Sequence, residues 1–182
     1  MTTSWPSIWR AALLGILLLA PACSSSDGDD ATPEAFADPF AYCAAVRDID
    51  APDTRYTGDP LPPVIIEGIR TATGASADAP LEFFERGTSW RCMDGAVYAC
   101  TVGANLPCEA KADTSDTPSA AMAAFCAENA GAEVIPAAVT GRETVYAWRC
   151  EGETPSIERQ VMQVDARGFL ADIWYRLDAP GR

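Results

Sequence analysis

The sequence predicts an α+β fold, an antiparallel sheet of about five strands with helices held against one of its faces by disulfide bonds. Apolar stretches that begin after Asp-Pro, Pro-Pro or Thr-Pro pairs are typical of helices. Short segments rich in aromatic and β-branched residues, separated by glycine-containing turns, are typical of strands. Beyond Cys23 the chain has an even set of six cysteines, which in an exported protein indicates three disulfide bonds.

The N-terminal segment has the layout of a secretory signal. Arg10 precedes an uncharged apolar run, Ala11–Ala20, which is shorter than the roughly 20 residues that a membrane-spanning helix needs. Pro21 and Ala22 then lead to Cys23. This arrangement resembles the bacterial lipobox, in which the cysteine sulfur receives a diacylglyceryl group and the signal is cut just before it. We therefore expect residues 1–22 to be a lipoprotein signal peptide and Cys23 to be lipidated; cleavage that leaves a free thiol is the alternative.

Residues 23–37 are expected to form a disordered tether. Residues 24–37 (SSSDGDDATPEAFA) have too little apolar surface to fold. Ser24, rather than aspartate, follows the cysteine, and by analogy with the sorting rule of Gram-negative lipoproteins this favours the outer membrane. The mature protein is thus expected in the cell envelope, held at the membrane through its lipid. No second linker follows, so residues 38–182 are expected to form a single α+β domain.

Capping residues mark the expected helices. Asp38 is a preferred N-cap residue, Pro39 fits the first helical position, and Gly74 fits the position after a helix end. We expect helices at residues 39–47, 64–73 and 117–129, whereas residues 81–86 fit either a helix or a strand.

Five strands are expected, and turn residues separate four of them. Asp94-Gly95 is a strong signal for a hairpin between the first two strands, and residues 165–168 supply the turn between the last two. The strands are expected at Thr88–Cys92, Ala96–Val102, Glu143–Cys150, Ile157–Val164 and Phe169–Leu177.

A repeated pattern selects one pairing from the 15 that six cysteines allow. An aromatic-Cys-Ala triplet occurs at residues 42–44 and 125–127, and Trp-Arg-Cys occurs at residues 90–92 and 148–150. Two copies of one helix-and-strand unit would each close in the same way, which is the internal duplication that we expect; a chance repeat is the alternative. The predicted disulfides are Cys43–Cys92, Cys126–Cys150 and, by remainder, Cys100–Cys108.

Strand alternation predicts a candidate ligand patch. In each Trp-Arg-Cys triplet the tryptophan and cysteine point to one face of the sheet and the arginine to the other. If the disulfides reach helices, Trp90 and Trp148 belong to the core. The open face would then present Arg91, Arg149, Arg176 and Trp174. Such a patch suits a carboxylate- or phosphate-bearing ligand; ion pairing with acids such as Asp172 or Glu158 is the alternative.

Composition excludes several functions. Removal of the signal peptide leaves 12 basic and 26 acidic side chains, a net charge of −14. This charge repels nucleic acid and attracts cations and basic proteins. The chain has no histidine, which excludes Ser-His-Asp and Cys-His catalysis and zinc or haem ligation by histidine. We expect neither a metal nor a cofactor.

Two resemblances add to these expectations. The segment Cys100–Cys108 (CTVGANLPC), with residues 135–141 and 160–169, is similar to uncharacterised small exported bacterial proteins, a family that implies no particular activity. Residues 90–95 match the aromatic-x-Cys-x-x-Gly motif with which lipid-anchored bacterial lysozyme inhibitors open. Those inhibitors are small β-barrels that insert a Ser-Gly loop into the enzyme, whereas this chain has no Ser-Gly pair.

These observations favour an envelope-anchored, non-enzymatic domain that binds a small ligand or a protein or has a structural role. An inhibitor of a basic secreted hydrolase such as lysozyme is the second hypothesis. An enzyme that uses carboxylates alone is the third.

Overall fold

In a computed structural model, which describes residues 34–76, 78–101 and 107–181, three helices precede a first antiparallel hairpin and two more helices precede a second. The signal peptide, Cys23, the tether up to residue 33 and residues 102–106 of the Cys100–Cys108 segment lie outside the described residues. The helices are α1 (Pro39–Val46), α2 (Pro63–Ala72), α3 (Leu81–Gly87), α4 (Ala120–Glu128) and α5 (Ala137–Thr140). The strands are β1 (Thr88–Met93), β2 (Ala96–Thr101), β3 (Tyr146–Glu151), β4 (Thr154–Gln160) and β5 (Tyr175–Leu177).

The predicted α+β class is confirmed, and its strands are divided between two antiparallel sheets. The first has the order β1-β2-β5, and the second is the hairpin β3-β4. The folded part also begins ahead of Asp38, where the tether was expected to end. The backbone of Phe36 pairs with Tyr56, and its ring meets the ring of buried Tyr42 edge to face.

Side-chain caps fix the start of two helices. An Oδ oxygen of Asp38 accepts a hydrogen bond from the N–H of Ala41 at 2.7 Å, and Pro39 occupies the first turn of α1. In α4 the hydroxyl of Ser119 accepts from the N–H of Met122 at 3.2 Å. Helix α4 therefore begins at Ala120, three residues later than the predicted start at Thr117.

The fold contains two modules of the same plan. Each module is a helix followed by a hairpin: α1 with β1-β2, and α4 with β3-β4. The disulfides Cys43–Cys92 and Cys126–Cys150 each join a helix to the first strand of its hairpin, and Cys100–Cys108 closes a short loop. The predicted pairing is therefore confirmed.

The backbone repeats the same plan. In both modules the residue six places after the helix cysteine bonds to the backbone of the strand cysteine: Ile49 exchanges two hydrogen bonds with Cys92, and the carbonyl of Ala132 accepts from Cys150. Both hairpins turn through two residues, with Gly95 at φ 77° and Gly152 at φ 61°. Glycine suits these turns because such φ values are unfavourable for other residues.

Each module buries its tryptophan beneath its helix, as predicted. Trp90 lies in a core with Tyr42 and Ile65 from the helices that cover the first sheet. Trp148 lies in a second core with Met122 and Cys126 of α4. A third core contains Val145, Phe169, Leu170 and Trp174.

The C-terminal segment departs from the predicted long strand. Residues 171–173 form a 3₁₀ turn, and only Tyr175–Leu177 pair with β2. The stretch 163–174, which we call the covering loop, instead bends around Asp165. One carboxylate oxygen of Asp165 accepts hydrogen bonds from the N–H groups of Arg167 and Phe169 at 2.8 and 3.1 Å. Such bonds from an aspartate side chain to the backbone stabilise a turn, and an alternating sequence pattern does not reveal them.

Candidate ligand cavity

The four residues of the predicted patch do not share an open face. Arg91 and Arg176 do lie on one face of the first sheet, because both are paired with Tyr98 in register. Arg91, however, is 0 % exposed, whereas Arg176 is exposed. Arg149 lies in the other sheet, is 46 % exposed and forms an ion pair with Glu151. The prediction of a common open face is therefore wrong, because the covering loop folds over Arg91.

Arg91 is held in a box of aromatic rings beneath that loop. Its guanidinium carbon lies 4.3 Å from the ring centroid of Trp174 and 4.4 Å from that of Phe169, with Tyr98 at 5.8 Å. One terminal nitrogen donates to the carboxylate of Asp165, whose side chain is only 7 % exposed. Arg91 and Trp174, two members of the predicted patch, are thus in contact.

A cavity of about 410 Å³ opens beside this box. Phe169 and Trp174 form its aromatic wall, and Asp50, Ser89, Glu109 and Lys111 supply its polar groups. Ser89 stands two residues before Arg91 on β1 and therefore faces the same side of the sheet. The covering loop thus both buries Arg91 and forms one wall of the cavity.

A network of charges lies at the rim. The Lys111 ammonium donates to Asp50 Oδ2 and to the carbonyl of Arg167, both at 2.6 Å, and lies 3.6 Å from the ring centroid of Phe169. Arg167 donates through Nε to Asp50 Oδ1 at 2.9 Å. Burial acts to raise the pKa of Asp50, but the hydrogen bonds from Lys111 and Arg167 outweigh it and hold that pKa below its ordinary value.

Glu109 completes the rim with an oxygen that accepts from the hydroxyl of Ser89 at 3.2 Å. The cavity therefore has an apolar wall, a corner where two cations meet one carboxylate, and one further carboxylate at its edge. In the described ranges no three His, Cys, Asp or Glu side chains come together as a metal site. The six cysteines of those ranges are all in disulfides.

Sequence reasoning missed the rim of this cavity. Asp50 and Lys111 are separated by 61 residues, and no local pattern joins them. The alternating pattern predicts a strand that begins at Phe169, whereas the segment Asp165–Gly168 correctly predicts the turn before it. Two signals point to the site: the Trp-Arg-Cys triplet, which correctly places Arg91 on the face opposite the helices, and the alternation of the last predicted strand, which predicts Trp174 on the same face as Arg91.

No protein-family model, no curated protein and no solved structure matches this chain.

Proposed function

We propose that the mature protein is an envelope-anchored lipoprotein whose domain binds a small ligand without transforming it. The observation that supports this proposal is the cavity of about 410 Å³ between the covering loop and β1. Ligand sites are typically concave, have this order of volume and combine apolar walls with a few polar groups. The aromatic wall and the polar rim of the cavity fit that description.

The charged groups near the cavity suit binding better than catalysis. Asp50 forms an ion pair with Arg167. A carboxylate that is stabilised in this way is a weak base, and general bases in enzymes usually have pKa values raised toward neutrality. The lowered pKa of Asp50 has the opposite direction. This supports a non-enzymatic role.

The proposed anchor is the lipid on Cys23. None of the helices in the described ranges is long and apolar enough to cross a bilayer. Two or more acyl chains give stable membrane attachment, and the polar segment after Cys23 would leave the domain free to meet its ligand.

Native mass spectrometry tests the binding role. The mature lipoprotein, released in detergent, is incubated with a small-molecule extract of bacterial envelopes and examined for a bound mass. The variant Ala51→Trp, which fills the cavity from an exposed lining position, should lose that mass. Ala44→Trp, at an exposed position of α1 outside the cavity, is the matched control and should keep it. A mass retained equally by both variants would place binding elsewhere.

Inhibition of a basic secreted hydrolase such as lysozyme is the second candidate, and the net charge of −14 favours it. Immobilised lysozyme should retain the mature protein at low salt if this candidate is right. Retention that survives moderate salt would indicate a specific complex, because screening weakens purely long-range attraction. Absence of retention at low salt would eliminate the candidate.

A further inference from the structure

We propose that the domain contacts the lipid bilayer through an apolar surface formed by Pro80 and Phe83 at α3 and by Tyr175 of β5. We call these three residues the aromatic patch. The inference rests on the proposed lipid anchor and goes beyond ligand binding, because it names the face of the domain that meets the membrane.

The exposed aromatic side chains of the domain are concentrated at this patch. Phe83 is 51 % exposed and Tyr175 is 37 % exposed, and they are the two exposed aromatic residues among those that the structure describes. Both line one groove of about 370 Å³. Single exposed apolar residues are common, whereas adjoining ones indicate a surface that meets another apolar surface.

The patch projects from the domain. Phe83 lines two grooves, the one that it shares with Tyr175 and another of about 480 Å³ that it shares with Pro80. Its ring therefore stands as a ridge between them. Such a ridge enters a deformable partner, and the headgroup region of a bilayer is one in which phenylalanine and tyrosine rings are favoured.

The charges beside the patch suit a zwitterionic lipid surface. The charged residues that line the two grooves are Glu82, Arg86 and Asp172. Glu82 and Arg86 form an ion pair at 2.7 Å, so no excess of cations is present to select anionic headgroups. The net charge of −14 on the mature protein repels such headgroups as well.

The length of chain ahead of the domain favours the bilayer over a soluble partner. Residues 23–33 connect Cys23 to Glu34, the first described residue, and a chain of this length spans at most about 40 Å. So short a linker gives the domain an effective concentration on the order of mM at the membrane. A contact made by two aromatic side chains, too weak to hold a free protein, is then sufficient. A soluble partner has no such advantage.

Docking through this patch leaves the ligand cavity accessible. Trp174 lines the cavity and Tyr175 lines the groove. The backbone is extended at Trp174, so these two consecutive side chains point to opposite sides. The bilayer and the ligand would therefore contact different sides of the same segment.

Quenching of tryptophan emission by brominated lipid tests this inference. Phe83→Trp places a reporter in the patch with a side chain that bilayer interfaces also favour. Val134→Trp, at an exposed position outside the patch, is the matched control. Each mature lipoprotein is reconstituted into phosphatidylcholine vesicles with and without bromine on the acyl chains, and flotation confirms its attachment. Bromine should remove about half of the emission that Phe83→Trp adds to that of the parent, and none of that added by Val134→Trp.

Two further comparisons locate the contact. Tyr175→Asp, added to Phe83→Trp, should reduce the quenching at least about twofold, because a carboxylate is costly to bring into a bilayer. Circular dichroism confirms that this variant is folded. Replacement of about one third of the phosphatidylcholine by phosphatidylglycerol should also reduce the quenching, because the acidic domain is repelled by anionic headgroups.

Equal quenching of Phe83→Trp and Val134→Trp, in protein that floats with the vesicles, would overturn the inference and leave the lipid anchor in place. Quenching that Tyr175→Asp does not change would overturn it as well. A parent protein that does not float would overturn both the anchor and the docking. If the parent is a dimer in detergent and Phe83→Asp makes it a monomer, the patch is an interface between two copies of the chain, and the bilayer is not its partner.

Discussion

Arg91 and Arg149 occupy the same position in the two Trp-Arg-Cys triplets, yet their surroundings differ completely. Arg149 is about half exposed and bonds to Glu151 on its own strand. Arg91 is covered by Phe169 and Trp174 and bonds to Asp165, 74 residues away. Alternation along a strand determines which face a side chain takes. What covers that face depends on distant chain segments, so the sequence indicated the face of Arg91 correctly and its exposure wrongly.

Arg91→Gln is expected to destabilise the protein strongly. The substitution would leave the carboxylate of Asp165 buried without its cation, and breaking a buried pair in this way costs about 3–5 kcal/mol. Arg149→Gln should cost about 0.5 kcal/mol, as exposed pairs do. Urea denaturation of both variants with the disulfides intact measures the difference. Equal losses in the two variants would show that burial of the Arg91–Asp165 pair has no energetic consequence.

Asp53 is expected to make folding sensitive to acid. Hydrogen bonds from the Arg55 side chain, with further ones from the Arg55 N–H and the Tyr42 hydroxyl, lower the pKa of Asp53 from 3.8 to about 2. The folded carboxyl therefore binds its proton less readily than the unfolded one. Its stabilising contribution is complete above the unfolded pKa and disappears as the pH falls toward 2.

The urea concentration at the denaturation midpoint of the parent should accordingly decrease as the pH is lowered from 4 to 2. In Asp53→Asn that fall should be smaller, since the titrating group is gone. Glu153→Gln, at the exposed turn of the β3-β4 hairpin, is the control and should behave as the parent does. A pH profile of Asp53→Asn that superimposes on that of the parent would contradict the assignment.

At the scale of elements, the two modules show which features local sequence specifies. The N-cap at Asp38, the Asp94-Gly95 hairpin and all three disulfides follow from short patterns. The division into two sheets does not, because strand alternation says nothing about which strands become neighbours. Protection of a strand edge against pairing with other chains is also specified by local sequence. Strand β4 contains Pro155 and the charged residues Glu158 and Arg159, which discourage such pairing.

Removal of single disulfides by paired Cys→Ala substitution should destabilise the fold in order of loop length. The separations are 49 residues for Cys43–Cys92, 24 for Cys126–Cys150 and 8 for Cys100–Cys108. Restriction of the unfolded chain then predicts losses of about 4, 3.5 and 2.5 kcal/mol. Chemical denaturation of the three double variants measures this series. A larger loss for Cys100–Cys108 than for Cys43–Cys92 would show that native-state packing, rather than chain entropy, dominates.

At the scale of the whole molecule, the covering loop is the part that local patterns describe least well and that matters most for the candidate site. It meets β1 through Arg91, the loop before α4 through Lys111, and the segment after α1 through Asp50. Each contact spans at least 56 residues of sequence. Hydrophobic periodicity cannot reveal such contacts, so Asp50, Glu109 and Lys111 had no signal that marked them as a site.

The proposed anchor is also a property of the whole molecule, because it determines where the cavity operates. A short apolar run, small residues and then Cys23 at the start of a polar segment lead us to expect lipidation of that cysteine. Cells grown with labelled palmitate should therefore yield labelled protein in the membrane fraction, and intact-mass analysis should show the added acyl chains. Two or more such chains hold a protein at a bilayer, whereas a single chain binds only marginally.

Cys23→Ser should remove the label and release the domain from the membrane fraction, because serine offers no thiol for the diacylglyceryl group. Cys126→Ala is the matched control: it removes a cysteine that lies in a disulfide and should leave labelling unchanged. A mature parent protein that begins at Cys23 without lipid would contradict the proposal. In that case Cys23 would be a free thiol on an exported domain, and the cavity would operate in solution rather than at the membrane surface.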